Sequence, residues 1–500
     1  MSKNNLIVLI IVLIVIVVAV IASVTYISEE PEPEVEQEDE EELEEEEEGE
    51  EITLEDIPPV DTTELYAHLE EAAQPYVGEE ISVYLSEGIP PQGALRELVG
   101  DFEENTGIEV DLNMIPYPDT YDRYIAALKE DRADVIDQES KWSAGYEPHL
   151  ADLREYMEEP LLYENYDMDD FIQAGGLELF IHPESEELFG LPMFVHAPGL
   201  YYIPEHFENA GLVDEEGEPE LPSTLEEYYE YAEQMTDEDA GVWGTILSGA
   251  RTGIPDEIMT YYWASGGGAY FNEYLEPDID NSLMVEVLDI YNDIYEDGYA
   301  HPDSPETEVG PVIDAMQNNE AAFGFNWTIF AGATMDPMAD PDDLSNPRVV
   351  PFPRLSDDAD HWLRQSAFGL GISEDSEHKE AAALFIQWAT SPEIQRIIAQ
   401  DYHIPDPARV SLLNDPYVSE MYPHHQYMEE ALENYVRKTP FIPEWQQVDD
   451  TTAIFKQRAM VGELSAEEAA EQAAEALREQ MEAEGYLDEG RTYPDHMIGQ

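Results

Sequence analysis

Two hydrophobic periods divide the chain into predicted elements. ISVYL (Ile81 to Leu85) and IEVDLNMIP (Ile108 to Pro116) carry the spacing of strands, and ADVIDQES (133–140) reads as a third strand running into a loop. Between them, Ala94 to Thr106 and TYDRYIAALKED (120–131) place apolar residues at helical spacing, the first run stopped by Gly107. Thr62 to Tyr76 predicts a short amphipathic lead-in helix. The order β-α-β-α-β points to an α/β lobe built on a parallel sheet. From about Glu205 to Asp340 the helical period dominates: LPSTLEEYYEYAEQM is expected to be capped by Ser223, and SLMVEVLDIYNDIYEDG to run from Ser282 to Gly298. Strand-like runs return at Asn346 to Pro353 and Ser366 to Ser373. The helical stretches EHKEAAALFIQWATS, EEALENYVRK and AEEAAEQAAEALREQMEAEG follow. No repeat of fixed period occurs.

The N-terminus departs from both periods. Leu6 to Ile27 is an uncharged apolar run of 22 residues, long enough to span a bilayer, with Lys3 on its short side. This predicts an uncleaved single-pass anchor at the cell membrane, with the folded part outside; a signal cleaved after Ala22 is the alternative that stays open. Ser28 to Glu51 is almost wholly acidic, so it repels itself and stays extended, a spacer between membrane and folded module.

Charge changes the picture next. The chain holds 115 acidic against 20 basic residues, a net charge of -95. Such a surface repels nucleic acid and anionic membrane faces. Its simplest reading is adaptation to high salt, and it makes a lone Asp or Glu a poor marker of function. Cysteine is absent, which excludes disulfides and thiolate metal sites. No phosphate-binding glycine run and no nucleophile elbow occur, and no cofactor is expected. The nearest approach to a metal group is His424-His425 with Glu429 and Glu430, but neighbouring histidines on a helix point apart.

Ligands of α/β sheets sit beyond the C-terminal strand ends, which singles out the loops SEGIPPQG and DQESKW. A second candidate is YYWASGGGAYFNE (Tyr261 to Glu273), where three glycines stand among five aromatic rings. Aromatic faces with carboxylates and amides suit a sugar, which has apolar C–H faces and a rim of hydroxyls. Trp263 supplies such a face, and Gly266, Gly267 and Gly268 allow backbone to approach closely.

The order of LVGDFEENTGIEVDLNMIPY, ADVIDQESKW, LFGLPMFVHAPGLYYIPEHFENAGL, PSTLEEYYEYAEQMT, YYWASGGGAYF, NNEAAFGFNWTIF, GLGISEDSEHKEAAALFIQWATSPEIQ and VGELSAEEAAEQAAEAL resembles the extracellular solute-binding proteins of carbohydrate ABC transporters. That group includes maltose-, trehalose- and multiple-sugar-binding proteins. The resemblance covers Ile81 to Gly485. It implies an α/β, two-lobed fold of the periplasmic-binding-protein type II, with the ligand in the interlobe cleft. Lobe 1 would be 80–199 plus 355–405 and lobe 2 200–354 plus 406–485, with hinges near Leu200 to Ile203 and Val349 to Arg354 and a tail at 486–500. It further implies a monomeric binding component, not an enzyme, that hands a sugar to ABC permease subunits.

The resemblance also points to site residues. Glu139 stands where the family has Asp three residues before Trp142. His196 replaces a usual acid or polar residue, beside a departing Pro198; its imidazole can donate to or accept from hydroxyls, or be a structural histidine near the hinge, and whether it makes binding pH-sensitive stays open. Asn326 and Trp327 match a position where Trp follows a strand into the cleft, and Phe368 stands where many relatives carry Trp. Trp263 precedes the Gly-Gly turn, with Gly267 in it. Ser86 and Glu87 would bind the ligand's rim. Two alternatives stay open: the same fold holding glycerol phosphate, a polyamine or a compatible solute, and a glycoside hydrolase, which needs a carboxylate pair across the scissile bond.

Overall fold

β1 (Glu80–Glu87), β2 (Glu109–Pro116) and β3 (Val135–Glu139) form where the alternating pattern puts them. They are followed by β4 (Leu191–His196), β5 (Pro198–Tyr202), β6 (Trp243–Ile246), β7 (Ala321–Trp327), β8 (Arg348–Val350), β9 (Leu363–Arg364), β10 (Ser366–Ile372) and β11 (Val436–Arg437). The structure is a computed structural model and describes residues 57–158, 160–340, 342–356, 363–364, 366–487 and 491–499. The apolar run Leu6 to Ile27 and the acidic segment Ser28 to Glu51 lie outside the described residues. Among the described residues, no helix is long and apolar enough to cross a membrane.

The strands make a five-stranded sheet in the order β2-β1-β3-β10-β4 and a four-stranded sheet in the order β6-β7-β5-β8. In the first, β1 runs parallel to β2 and β3, and β10 runs antiparallel to β3 and β4. In the second, β5 is antiparallel to both β7 and β8. β9 and β11 pair as a short parallel ribbon. β4 ends in the first sheet and β5 begins in the second, so the chain crosses between them at Ala197, a little ahead of Leu200 to Ile203, where the hinge is expected. β6 and β7 lie in the stretch the helical period dominates, because short strands buried on both faces show no alternation.

Several local expectations shift. The helix expected from Ala94 begins at Pro90, since proline at the first helical positions gives up only an N–H with no partner there. It ends at Gly107, whose φ of 68° makes the left-handed C-cap. The cap of Leu225–Met235 is Thr224 rather than Ser223, in a capping box with Glu227, and Asn281 caps Ser282–Glu296. Residues after 405, expected on the second lobe, begin on the five-stranded sheet: Val195 N–H donates to Asp406 O at 3.1 Å. Arg409, fully buried over the rings of Tyr166 and Phe171, donates to Thr390 O and Asp167 O, both at 3.0 Å.

The run YYWASGGGAYFNE is the end of the helix Ile254–Ala264 and the turn after it. Gly266 and Gly267 N–H return to Trp263 O (3.0 Å) and Tyr262 O (2.9 Å). A Cβ on Gly267 would stand 2.4 Å from the Tyr262 ring. The close approach these glycines allow is to their own helix.

That helix carries a buried acid. Glu257 accepts from Ser248 N–H at 2.6 Å and from Tyr291 OH at 3.2 Å, and burial pushes its carboxyl from 4.5 up to about 8, against the pull of those bonds. A carboxyl whose folded pKa is raised stabilises the fold below its unfolded pKa and loses that stabilisation as pH rises through the folded value. The difference in Tm between Glu257→Gln and the natural chain is therefore expected to move in the variant's favour by several °C between pH 5 and pH 8. Thermal melts in molar salt check this, and parallel curves would contradict it.

Candidate functional site

β3 is buried on both faces along its whole length, yet it carries Asp137 and Glu139. A buried carboxylate has to be hydrogen-bonded or paired. Asp137 accepts from Ser86 N–H (3.0 Å), Ser86 Oγ (3.1 Å) and Gln92 Nε2 (2.6 Å). Burial nonetheless lifts its carboxyl to about 6. This knot pins the corner from β1 into the helix Pro90–Thr106. It turns Ser86 inward and leaves the next residue, Glu87, at the strand end facing open space.

Glu139, at the end of β3, accepts a short hydrogen bond from Tyr117 OH and one from Ser366 Oγ at 3.4 Å, and pairs with Lys141 at 3.3 Å. Burial works against the Lys141 charge, but Glu139 and the Tyr117 phenol outweigh it and hold the ammonium's pKa above the usual lysine value. Tyr117 is pushed up in turn, by burial first and by Glu139 second. Its ring stacks on Trp142 at 5.6 Å, with the Lys141 ammonium 4.8 Å from the Trp142 ring centroid. Lys141 also reaches Asp256 at 3.8 Å, in the first turn of Ile254–Ala264, and Arg364 closes directly on the same carboxylate. The Arg364 guanidinium lies 5.4 Å from the Trp327 ring centroid. A chain of alternating charge, Glu139–Lys141–Asp256–Arg364, thus runs from the end of β3 to a helix beside the other sheet.

These elements enclose a cavity of about 440 Å³ where strand ends of the two sheets meet. Glu87, Tyr117, Glu139, His196 and Phe368 line it from the five-stranded sheet, and Asp256, Glu308, Phe325, Trp327 and Phe330 from the other side. Four rings form one wall: His196 meets Trp327 edge-on at 4.8 Å and lies over Phe368 at 5.9 Å, and Phe325 sits 6.1 Å from Trp327. His196 Nδ1 is buried with no hydrogen-bond partner among the described residues. Burial, against the pull of Asp406 and with Arg364 and Lys141 adding to it, holds the His196 imidazole down at about 3. An imidazole held that low is neutral near pH 7, which weighs against pH-sensitive binding through His196.

Of the sequence-predicted residues, Glu87, Glu139, His196, Trp327 and Phe368 come together on the cavity. Ser86 stands behind it on Asp137. Trp142 lines a small neighbouring hollow with Lys141 and Arg251, and Arg251 pairs with Asp450 at 3.4 Å. Asn326 alternates away from the cavity between Phe325 and Trp327, fully buried, its Oδ1 accepting from Trp327 N–H at 2.9 Å. Trp263 and Gly267 lie elsewhere. Trp263 is two turns beyond Asp256, about 10 Å along the helix axis. It is packed edge-on to Tyr270, with Nε1 donating to Gly268 O at 3.0 Å. Tyr117, Asp256, Glu308, Phe325 and Phe330 escape sequence reading. The acids are lost among 115 others, and the rings sit in runs that read as core.

Two sheets joined by a crossing strand, with a cavity at their strand ends, define a two-lobed ligand-binding protein. The chain belongs to the bacterial extracellular solute-binding protein family, whose family model matches residues 88–396, more than half its length. It is 25% identical over 390 residues, 75% of this chain and 82% of the relative, to a Sinorhizobium fredii protein named as a probable amino-acid ABC transporter periplasmic-binding protein. It has the fold of an ABC transporter solute-binding protein of Agrobacterium radiobacter K84 solved with ribitol, with a TM-score of 0.71 at 20% identity over 81% of this chain and 99% of that one. It is likewise similar to maltose-bound MalE3 of T. maritima, with a TM-score of 0.69 at 22% identity over 81% of this chain and all of that one (100%).

Removing one partner of a buried ion pair leaves the other unpaired, at a cost of several kcal/mol, whereas exposed pairs are worth little. Lys141→Met is expected to destabilise the protein by about 3 kcal/mol. Arg251→Met, whose pair is half exposed, is expected to cost under about 1 kcal/mol. Denaturant titration at fixed salt checks the ranking, and equal losses would contradict the assigned geometry.

Proposed function

We propose that the protein is the extracellular binding component of an ABC importer and takes an uncharged polyhydroxyl solute, a sugar or sugar alcohol, into the cavity between its lobes. The observation that carries this reading is the composition of the cavity wall. Its apolar lining is the ring surface of Trp327, Phe368, Phe325 and Phe330, suited to the C–H faces of such a ligand. The same cavity is lined by the carboxylates of Glu87, Glu139, Asp256 and Glu308 and by His196, whose Nδ1 has no partner among the described residues, all suited to hydroxyls. The solutes named for the ribitol- and maltose-bound neighbours belong to this class. An amino acid, as in the name of the Sinorhizobium fredii relative, or a phosphorylated solute needs a cation for its anionic group. Among the described residues that line the cavity there is no Lys or Arg, and Lys141 and Arg364 behind it are already matched to Glu139 and Asp256.

The lobes would close on the ligand about the crossing at Ala197, and the closed form would be what the permease receives. The apolar run Leu6 to Ile27 would hold the module at the membrane, with the acidic segment as its spacer. The acid excess would keep it soluble in concentrated salt.

Trp fluorescence titration in molar salt tests the reading, with ribitol, mannitol, maltose, glucose, glutamate and spermidine in turn. A saturable response to a polyol or sugar is expected, weakened about 100-fold or more in Trp327→Ala by loss of its stacking face. A response to glutamate or spermidine alone would overturn the ligand class.

A further inference from the structure

Away from the cavity, three ligand-type side chains converge in the interior. Asp406 and His424 are fully buried and His425 nearly so. His424 caps the helix His425–Asn434 and His425 is its first residue. The expected divergence of neighbouring histidines does not separate their rings, whose centroids lie 5.0 Å apart, because the Asp406 carboxylate sits between them. Both rings present Nε2 to one oxygen: His424 at 3.1 Å and His425 at 3.4 Å from Asp406 Oδ1. Neither nitrogen of His425 makes a hydrogen bond of good geometry among the described residues, its polar neighbours being Asp406 and the Leu413 backbone, and Asp406 Oδ2 has no partner there.

A purely hydrogen-bonded cluster would use the vacant Oδ2 for the second ring. Crowding two imidazoles on one oxygen while the other is idle is the arrangement of a monodentate carboxylate and two imidazoles around a common centre. The edges of a tetrahedron with bonds of about 2.0 Å are about 3.3 Å; the two oxygen-to-nitrogen edges here are 3.1 and 3.4 Å, and all three donors lie within 4.8 Å of one another. Asp406 is also held in place: it has a φ of 71°, rare for a residue other than glycine, and its carbonyl accepts from Val195 N–H at 3.1 Å.

We propose that Asp406, His424 and His425 bind one divalent transition metal ion, zinc in the first place, as a structural clamp. Three protein donors with one water complete four-coordinate zinc, and imidazole with carboxylate oxygen suits it better than calcium or magnesium, which take oxygen ligands. The clamp ties the loop beside β4 to the helix His425–Asn434, next to the point where the chain crosses between sheets. The proposal does not rest on solute binding, and its failure would leave the proposed function untouched.

The test is zinc binding by the chelator-stripped, folded protein, desalted in molar sodium chloride so that surface carboxylates hold little metal. The expected result is one zinc retained per chain and a Tm raised by at least about 3 °C, with chelator reversing the shift. His425→Gln and Asp406→Asn are each expected to lose both effects. No zinc retained by the natural chain, or the same zinc retained by both variants, would overturn the proposal. Because the titration of the natural chain decides by itself, a variant that fails to fold leaves the test intact.

Discussion

Burial of β3 on both faces is the constraint on which the site depends. A strand in that position is ordinarily apolar throughout, as parallel strands covered by helices are. Here its last three residues are Asp137, Gln138 and Glu139, all buried. Desolvated carboxylates require partners, and meeting that requirement builds the neighbourhood. Asp137 draws in Ser86 and Gln92 and so sets the corner after β1. Glu139 draws in Tyr117, Lys141 and Ser366 and so fixes the loop after β2, the turn after its own strand and the start of β10. Lys141 in turn reaches Asp256 beside the other sheet, so the charge chain that satisfies one strand end also spans the cleft.

Tyr121 OH donates to Pro443 O at 3.1 Å, joining the helix Thr120–Lys129 to the segment before Trp445–Met460. Opening the lobes would expose the Lys141–Asp256 contact to water and weaken it, and a ligand bridging both walls would favour the closed arrangement by whatever it gains there.

Much of the first sheet was legible in the sequence, because β1, β2 and the helices between them keep clean periods broken by Gly107. Of the second sheet only β8, inside the run Asn346 to Pro353, was. β6 and β7 are short and buried throughout, and a buried strand and a buried helix look alike in composition. Cavity residues at strand ends, Glu87, Glu139, His196, Trp327 and Phe368, could be reached through strand order and family resemblance. Asp256 and Glu308 could not, since the sequence offers nothing to set an acid that lines the cavity apart from a solvated one. Trp263 misled for the opposite reason: aromatic rings beside glycines describe a tight helix end as well as a binding face, and only packing against Tyr262 and Tyr270 distinguishes the two.

The central claim is that the space between the sheets, and no other, receives the solute. Amide hydrogen exchange with and without a saturating polyol or sugar tests it most directly. Slowed exchange is expected at 86–89, 117–118, 139–142, 248–256 and 325–330, on both walls at once, with 261–268 unchanged. Protection centred on 261–268, or confined to one wall, would contradict the account.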